Sequence, residues 1–278
     1  MNYLALGDSI SIDDYTDTPG GGAASQFARF LGAGGFQNLT RDGRTTAGVL
    51  DAWGEITTVP DVVTLTAGGN DYLQAVWQAL NTPADWGLVS SRPLANLEQI
   101  ADRLAAFNRP VIINTVYDPT DGDDSLLSTF GLAPTMAKQA RTAFNALNDG
   151  IRALAARRGF LLSDLEKLFH GHGAVSPQTW IVGQIEPNLA GATAIARHWH
   201  DLISPVIIPP GYNDSGRESR HAANRTDQNL PRHLGRIDEP PPRDRPRRRA
   251  GSQSLRAGDR AASRRRKSGA HQPAPFLA

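Results

Sequence analysis

The feature that most constrains this chain is an alternation. Short apolar runs at 3–6, 62–65, 111–116 and 160–162 are separated by longer stretches whose apolar residues recur at helical spacing. The middle two runs are rich in Val, Ile and Thr, and such runs read as strands buried on both faces of a parallel sheet. Phe27, Phe30 and Leu31 share one face of a helix expected over 23–31. Leu97, Ile100, Leu104 and Phe107 do the same over 95–107, Phe144, Leu147, Ile151 and Leu154 over 135–158, and Ile195, Trp199 and Leu202 over 187–203. Parallel strands need crossover helices, so the expected fold is a three-layer, doubly wound α/β domain around a mostly parallel sheet. Ligands of such folds bind outside the carboxyl ends of the strands.

Charge divides the chain. Residues 1–210 carry 13 Lys and Arg against 21 Asp and Glu, whereas 211–278 carry 16 against 7. The second segment has one Phe, one Tyr and no Trp, and holds Pro240-Pro241-Pro242 and Arg264-Arg265-Arg266-Lys267. Too few large apolar residues and too much like charge cannot offset chain entropy. The expected organisation is a domain over 1–209 and a basic, disordered tail over 210–278, a tail that an out-of-frame reading would also produce. Arginine runs attract phosphates, but no aromatic residues are interleaved for base stacking, and the acidic body is not expected to bind nucleic acid. The absence of Cys excludes disulfides and a thiolate nucleophile. No apolar run is long enough to span a membrane. Met1-Asn2-Tyr3-Leu4 enters the first strand without a signal-peptide pattern, so a cytoplasmic protein is expected.

Three loops at strand ends carry candidate chemistry. The first strand ends in Gly7-Asp8-Ser9, where a serine on a strand-to-helix turn lies close to backbone N–H groups, as a nucleophile requires. Taken alone, such a serine also fits a helix cap. The 62–65 run leads into Gly68-Gly69-Asn70-Asp71, whose Asn70 carboxamide could donate to an oxyanion. Between them, Gly43 in Arg41-Asp42-Gly43-Arg44 could add a backbone N–H.

In this order, the three blocks resemble the SGNH (GDSL-type) hydrolase family, over roughly residues 2–204. The resemblance implies a flavodoxin-like α/β fold and a serine esterase, lipase or carbohydrate deacetylase that needs no cofactor and acts on a small-molecule ester. It makes Ser9 the nucleophile, with the Ser9 and Gly43 N–H groups and Asn70 as the oxyanion hole.

The fourth block departs from the family pattern. Where the family has Asp-x-x-His-Pro, this chain has Gly183-Gln184-Ile185-Glu186-Pro187, so Gly183 takes the place of the acid and Glu186 that of the base. A carboxylate of ordinary pKa, about 4.3, is a far weaker base than an imidazole at about 6.5. His172, in Phe169-His170-Gly171-His172-Gly173, is the expected replacement, with Glu186 orienting it to give Ser9–His172–Glu186. Two alternatives stand beside it. One is a binding protein that has lost its base, and the other is a metal-dependent hydrolase using His170 and His172. His198 and His200 are expected near the surface of the last helix. Asp118-Pro119-Thr120-Asp121-Gly122-Asp123-Asp124 is expected to be a solvated insertion on the substrate rim.

Overall fold

Val62, Val63, Leu65, Val111, Ile112 and Ile113 are all almost fully buried, and their residue type dictates the layout. Side chains alternate across a strand, so each apolar run must be covered on both faces. A computed structural model of the chain describes residues 1–207 apart from Pro83 and Phe130. The expected tail over 210–278 lies outside the described residues.

In chain order the elements are β1 (Asn2–Gly7), α1 (Ala23–Phe30), β2 (Gly35–Thr40), α2 (Thr46–Asp51), β3 (Val62–Thr66), α3 (Gly69–Ala79), α4 (Trp86–Ala105) and β4 (Val111–Asn114). They continue with α5 (Asp124–Thr129), α6 (Pro134–Arg158), β5 (Leu161–Ser163), α7 (Leu165–Phe169), β6 (Ile181–Val182), β7 (Glu186–Pro187) and α8 (Leu189–Ile207). Among the described residues, β1 to β5 form one parallel sheet in the order β2-β1-β3-β4-β5. Leu4, Leu6, Val63, Leu65 and Ile113 face a core completed by Leu97, Ile100 and Leu104 of α4 and Leu147, Ile151 and Leu154 of α6. Tyr3, Ala5, Val62 and Ile112 face the opposite core with Phe27 of α1 and Ile195, Trp199 and Ile203 of α8. This is the three-layer doubly wound fold that the sequence pattern predicts.

The departures from expectation have local causes. The 111–116 run stops pairing as a strand after Asn114, because Asn148 of α6 takes over both backbone groups of Val116. Its Oδ1 accepts from Val116 N and its Nδ2 donates to Val116 O, each at 2.8 Å. The last helix starts at Leu189 rather than 187, since Asn188 Oδ1 accepts from Ala190 N and Gly191 N while Pro187 belongs to β7. Strand β2 gives no apolar run because it is a sheet edge where only Leu39 and Thr40 are buried. No helix among the described residues is long and apolar enough to cross a membrane.

The order 2-1-3-4-5 fixes where a site can form. From β1 the chain crosses to β2 on one side, and from β2 it crosses back to β3 on the other. The loops leaving β1 and β3 therefore diverge and open a crevice at the carboxyl ends. Register places Gly7 beside Thr40 of β2 and Thr66 of β3, so the loops after all three strands start side by side.

Trp199 joins α8 to the sheet. It is fully buried, meets the Phe27 ring edge-on, and donates from Nε1 to Asn114 Oδ1 at 2.7 Å, while Asn114 Nδ2 donates to Leu65 O at 2.9 Å. Removing the indole empties a large volume and strands a buried acceptor. Trp199→Ala should lower the unfolding free energy by about 3–5 kcal/mol. Urea denaturation with an unchanged slope checks this, and a loss well under 1 kcal/mol would contradict it.

Candidate active site

Gly7 shapes the turn that presents Ser9. Its φ of +132° suits glycine, and a Cβ there would lie 1.8 Å from Thr66 O. Asp8 N donates to that same Thr66 oxygen at 3.0 Å, and Asp8 Oδ1 caps the short helical turn Ser9–Ser11 by accepting from Ile10 N at 3.3 Å. Ser9 is thereby set at the carboxyl end of β1 with 6% of its surface exposed. Its Oγ donates to Glu186 Oε1 at 3.1 Å.

Glu186 comes from 177 residues further along the chain. It sits on β7, which pairs antiparallel with β6 through Val182↔Glu186 and Ile181↔Pro187. Gly183, at φ +63°, opens the turn between the two strands.

The other two loops are tied to one another. Asn70 lies in the first turn of α3, just after Gly68 at φ +116°, and donates from Nδ2 to Arg44 O at 3.2 Å. Gly43 takes φ +68° one residue earlier, with open space around its Cα. Asp71 holds this loop by accepting from Thr46 N at 2.8 Å and Thr46 Oγ1 at 2.7 Å, and Asn96 adds a hydrogen bond to the same hydroxyl at 2.9 Å. Asp71 adjoins the motif, but nothing in the sequence links it to Thr46 or Asn96 to either.

The histidines lie elsewhere. His172 Nδ1 pairs with Gln178 O at 2.8 Å, and its ring lies flat on Trp180 with centroids 3.7 Å apart. No hydrogen bond joins it to Ser9 or Glu186. His170 is exposed and lines a separate cleft with Asn145, Asp149, Arg152, Glu166 and Lys167. His198 and His200 are half-buried on α8. Among the described residues no group of three or more His, Asp or Glu side chains is placed to hold a metal ion. The 118–124 loop is anchored rather than a free solvated insertion. Arg141 binds Asp118 at 2.5 Å and Asp124 at 2.8 Å, while Asp121 accepts from Gly171 N and Gly173 N.

Carboxyl groups dominate the electrostatics. Burial pushes Glu186 up to about 7, with the Asp42 carboxylate adding to the rise and the Ser9 hydrogen bond opposing it. Burial pushes Asp8 up to about 8, with Glu186 adding to the rise and the Ile10 N–H and nearby Thr66 hydroxyl opposing it. Burial, Glu186 and Asp42 together keep the Tyr15 phenol protonated. A carboxylate that titrates near 7 and accepts from a serine hydroxyl has the geometry and proton affinity of a general base.

Comparison with known proteins shows the family and the fold. A model of the GDSL-like lipase/acylhydrolase family matches residues 5–194. Among solved structures, the chain is similar to LAE5, an α/β hydrolase from the metagenome of Lake Arreo, Spain, at 22% identity and TM-score 0.54, covering 72% of this chain and 94% of that one. It is similar to phospholipase A1 from Streptomyces albidoflavus NA297 at 21% identity and TM-score 0.52, covering 73% and 98%. A mutant of Axe2, an acetyl-xylooligosaccharide esterase from Geobacillus, gives 18% identity and TM-score 0.55 over 73% and 93%. No curated protein matches the chain.

The buried Asp8 carboxyl makes folding depend on pH. Its folded-state pKa of about 8 lies above the ordinary 3.8, so the native state holds this proton more tightly than the unfolded chain. Its contribution is then fully favourable below the unfolded pKa and is lost as pH rises through the folded value, by up to about 1.4 kcal/mol per unit. Asp8→Asn, which cannot ionise, should gain stability relative to wild type from pH 5 to pH 8 and level off above. Urea midpoints across that range check this, and a pH-independent difference would contradict it.

Proposed function

The chain belongs to the GDSL-like lipase/acylhydrolase family, a family of ester-hydrolysing enzymes, and on that premise we propose that it cleaves a small carboxylic ester through an acyl-enzyme on Ser9 with Glu186 as the base. The observation that carries the reading is the Ser9 Oγ to Glu186 Oε1 hydrogen bond at 3.1 Å, made by a carboxylate whose burial raises its pKa to about 7. An ordinary carboxylate is poorly matched to a serine proton at neutral pH, and desolvation removes much of that mismatch. The base then needs no imidazole, which suits a fourth block in which Gly183 and Glu186 stand in the places of the family's Asp and His.

In this reading Glu186 takes the Ser9 proton as Oγ attacks the acyl carbon. The negative charge that develops on the carbonyl oxygen is met by the Ser9 N–H, the Gly43 N–H and the Asn70 Nδ2. The hydrogen bond from Asn70 to Arg44 O fixes the carboxamide plane and leaves a second N–H free for the oxyanion. The protonated Glu186 next gives its proton to the departing alkoxide, which leaves as the alcohol. Water then enters, loses a proton to Glu186 and attacks the acyl carbon, and Ser9 recovers its hydroxyl hydrogen when the acid leaves. Glu186 beside Ser9, with Asp42 near enough to add to its rise in pKa, makes the site acidic, which disfavours an anionic acyl group.

Glu186 must be ionised to accept the proton, so kcat/KM should rise with pH through about 7. Glu186→Gln should remove that limb and lower kcat by about 10²–10⁴, while His172→Ala should retain the limb. Initial rates on p-nitrophenyl acetate from pH 5 to 9 check this. A limb that survives Glu186→Gln and disappears in His172→Ala would return the base to His172.

Asn70→Ala should lower kcat by about 10²–10³ with the fold intact. Stopped-flow or steady-state turnover of the folded variant checks this, and unchanged kcat would remove Asn70 from the oxyanion hole.

A further inference from the structure

The β6–β7 hairpin that carries Glu186 has only two strand residues on each side, too little pairing to hold a half-buried carboxylate against further hydration. What holds it lies in the side chains around it. Tyr117, just beyond the carboxyl end of β4 and 4% exposed, donates from its hydroxyl to Ile185 O, the carbonyl immediately before Glu186. The Tyr117 ring stacks on Phe169 with centroids 4.2 Å apart, Phe169 meets Trp180 edge-on at 5.3 Å, and Trp180 lies flat on His172 at 3.7 Å. Trp180 closes the hairpin's other end, since its O accepts from Asn188 N at 2.8 Å and its N donates to His172 O at 3.0 Å. One aromatic column therefore grips the segment from 180 to 188 at both ends, and its Tyr117 end holds the peptide beside the base.

We propose that Tyr117 is a positioning residue that keeps the Glu186 carboxylate against Ser9 and away from water through its hydrogen bond to Ile185 O. The inference rests on the reading of Glu186 as the base. Burial holds the Tyr117 phenol protonated, so it is a permanent donor that adds no charge of its own. Without the hydroxyl, Ile185 O has to find water, the hairpin moves outward, and Glu186 regains hydration. The groups that face Glu186 are Ser9 and Asp8 after β1, Tyr15 and Asp42 on neighbouring loops, and Tyr117 after β4. Among them only Asp8 and Asp42 are carboxyl groups, and neither changes in a Tyr117 variant. A shift of the pH limb would then report movement of Glu186 and not a lost charge. The His-Gly-His segment also finds a role here, as the outer face of the stack.

The test uses the full chain and p-nitrophenyl acetate, with pH profiles of kcat and kcat/KM for wild type, Tyr117→Phe, Phe169→Leu and Glu186→Gln, and a melting curve for each. Tyr117→Phe keeps the ring stack and should melt cooperatively. It should lose about tenfold to a hundredfold in kcat, with KM little changed, and its acid limb should move down by about half a unit or more as Glu186 rehydrates. A folded Tyr117→Phe with wild-type kcat, or with an unshifted limb, overturns the inference. If Tyr117→Phe does not fold, Phe169→Leu decides. A lowered kcat with a lowered limb supports the inference, and wild-type values for both overturn it. Glu186→Gln separates the two levels. If it keeps the limb, the base assignment falls and takes the inference with it. If it loses the limb while Tyr117→Phe behaves as wild type, the inference alone falls.

Discussion

A carboxylate hydrogen-bonded to a serine hydroxyl gains proton affinity only while water is kept from it, and that requirement organises this molecule. Glu186 lies 177 residues from Ser9 and reaches it on a short hairpin. The hairpin is held by Tyr117 just beyond β4, Phe169 at the end of α7 and Trp180 at its own base. Ser9 is held by Gly7, whose backbone lies against Thr66, and by the Asp8 cap. The parallel register of β1 with β2 and β3 supplies the common edge on which both arrangements are built. Loosening the hairpin would restore an ordinary carboxylate, too weak a base for serine at neutral pH.

The same burial has a cost in stability. Asp8 and Glu186 are both raised toward neutrality, and each would lower the free energy of the native state by becoming solvated. The two cores on either side of the sheet offset this, with Trp199, Phe27 and Tyr3 on one face and Leu97, Leu147 and Leu154 on the other. A desolvated site set on a rigid sheet is a common division of labour between function and stability.

The layer order was legible because β-branched runs and helical spacing are properties of single segments. Residues 62–65 and 111–114 are strands for the reason their sequence suggests, and α6 ends at Arg158, before Gly159 in the left-handed conformation. Strand β2 and the β6–β7 hairpin were not legible, because an edge strand and a two-residue ladder bury too few side chains to leave a periodic signal. The loops that carry Ser9, Gly43 and Asn70 could be placed at strand ends from the sequence. The hydrogen bond from Ser9 to Glu186 could not. Reference pKa values favour an imidazole over a carboxylate as the base, and only burial, a tertiary property, raises Glu186 to about 7. Although glycines flank His172, Asp121 pins both Gly171 and Gly173, and Trp180 covers the ring.

Activation of Ser9 by a half-buried Glu186, its pKa raised to about 7, is open to direct test. The most direct measurement is covalent capture of the serine by a fluorophosphonate ester, read by intact mass and peptide mapping as a function of pH. The account predicts a single adduct on Ser9, formed at a rate that rises through pH of about 7 in the wild type and that loses this rise in Glu186→Gln. Labelling of Ser9 at the same rate and with the same pH dependence in Glu186→Gln, or labelling at another residue, would contradict it.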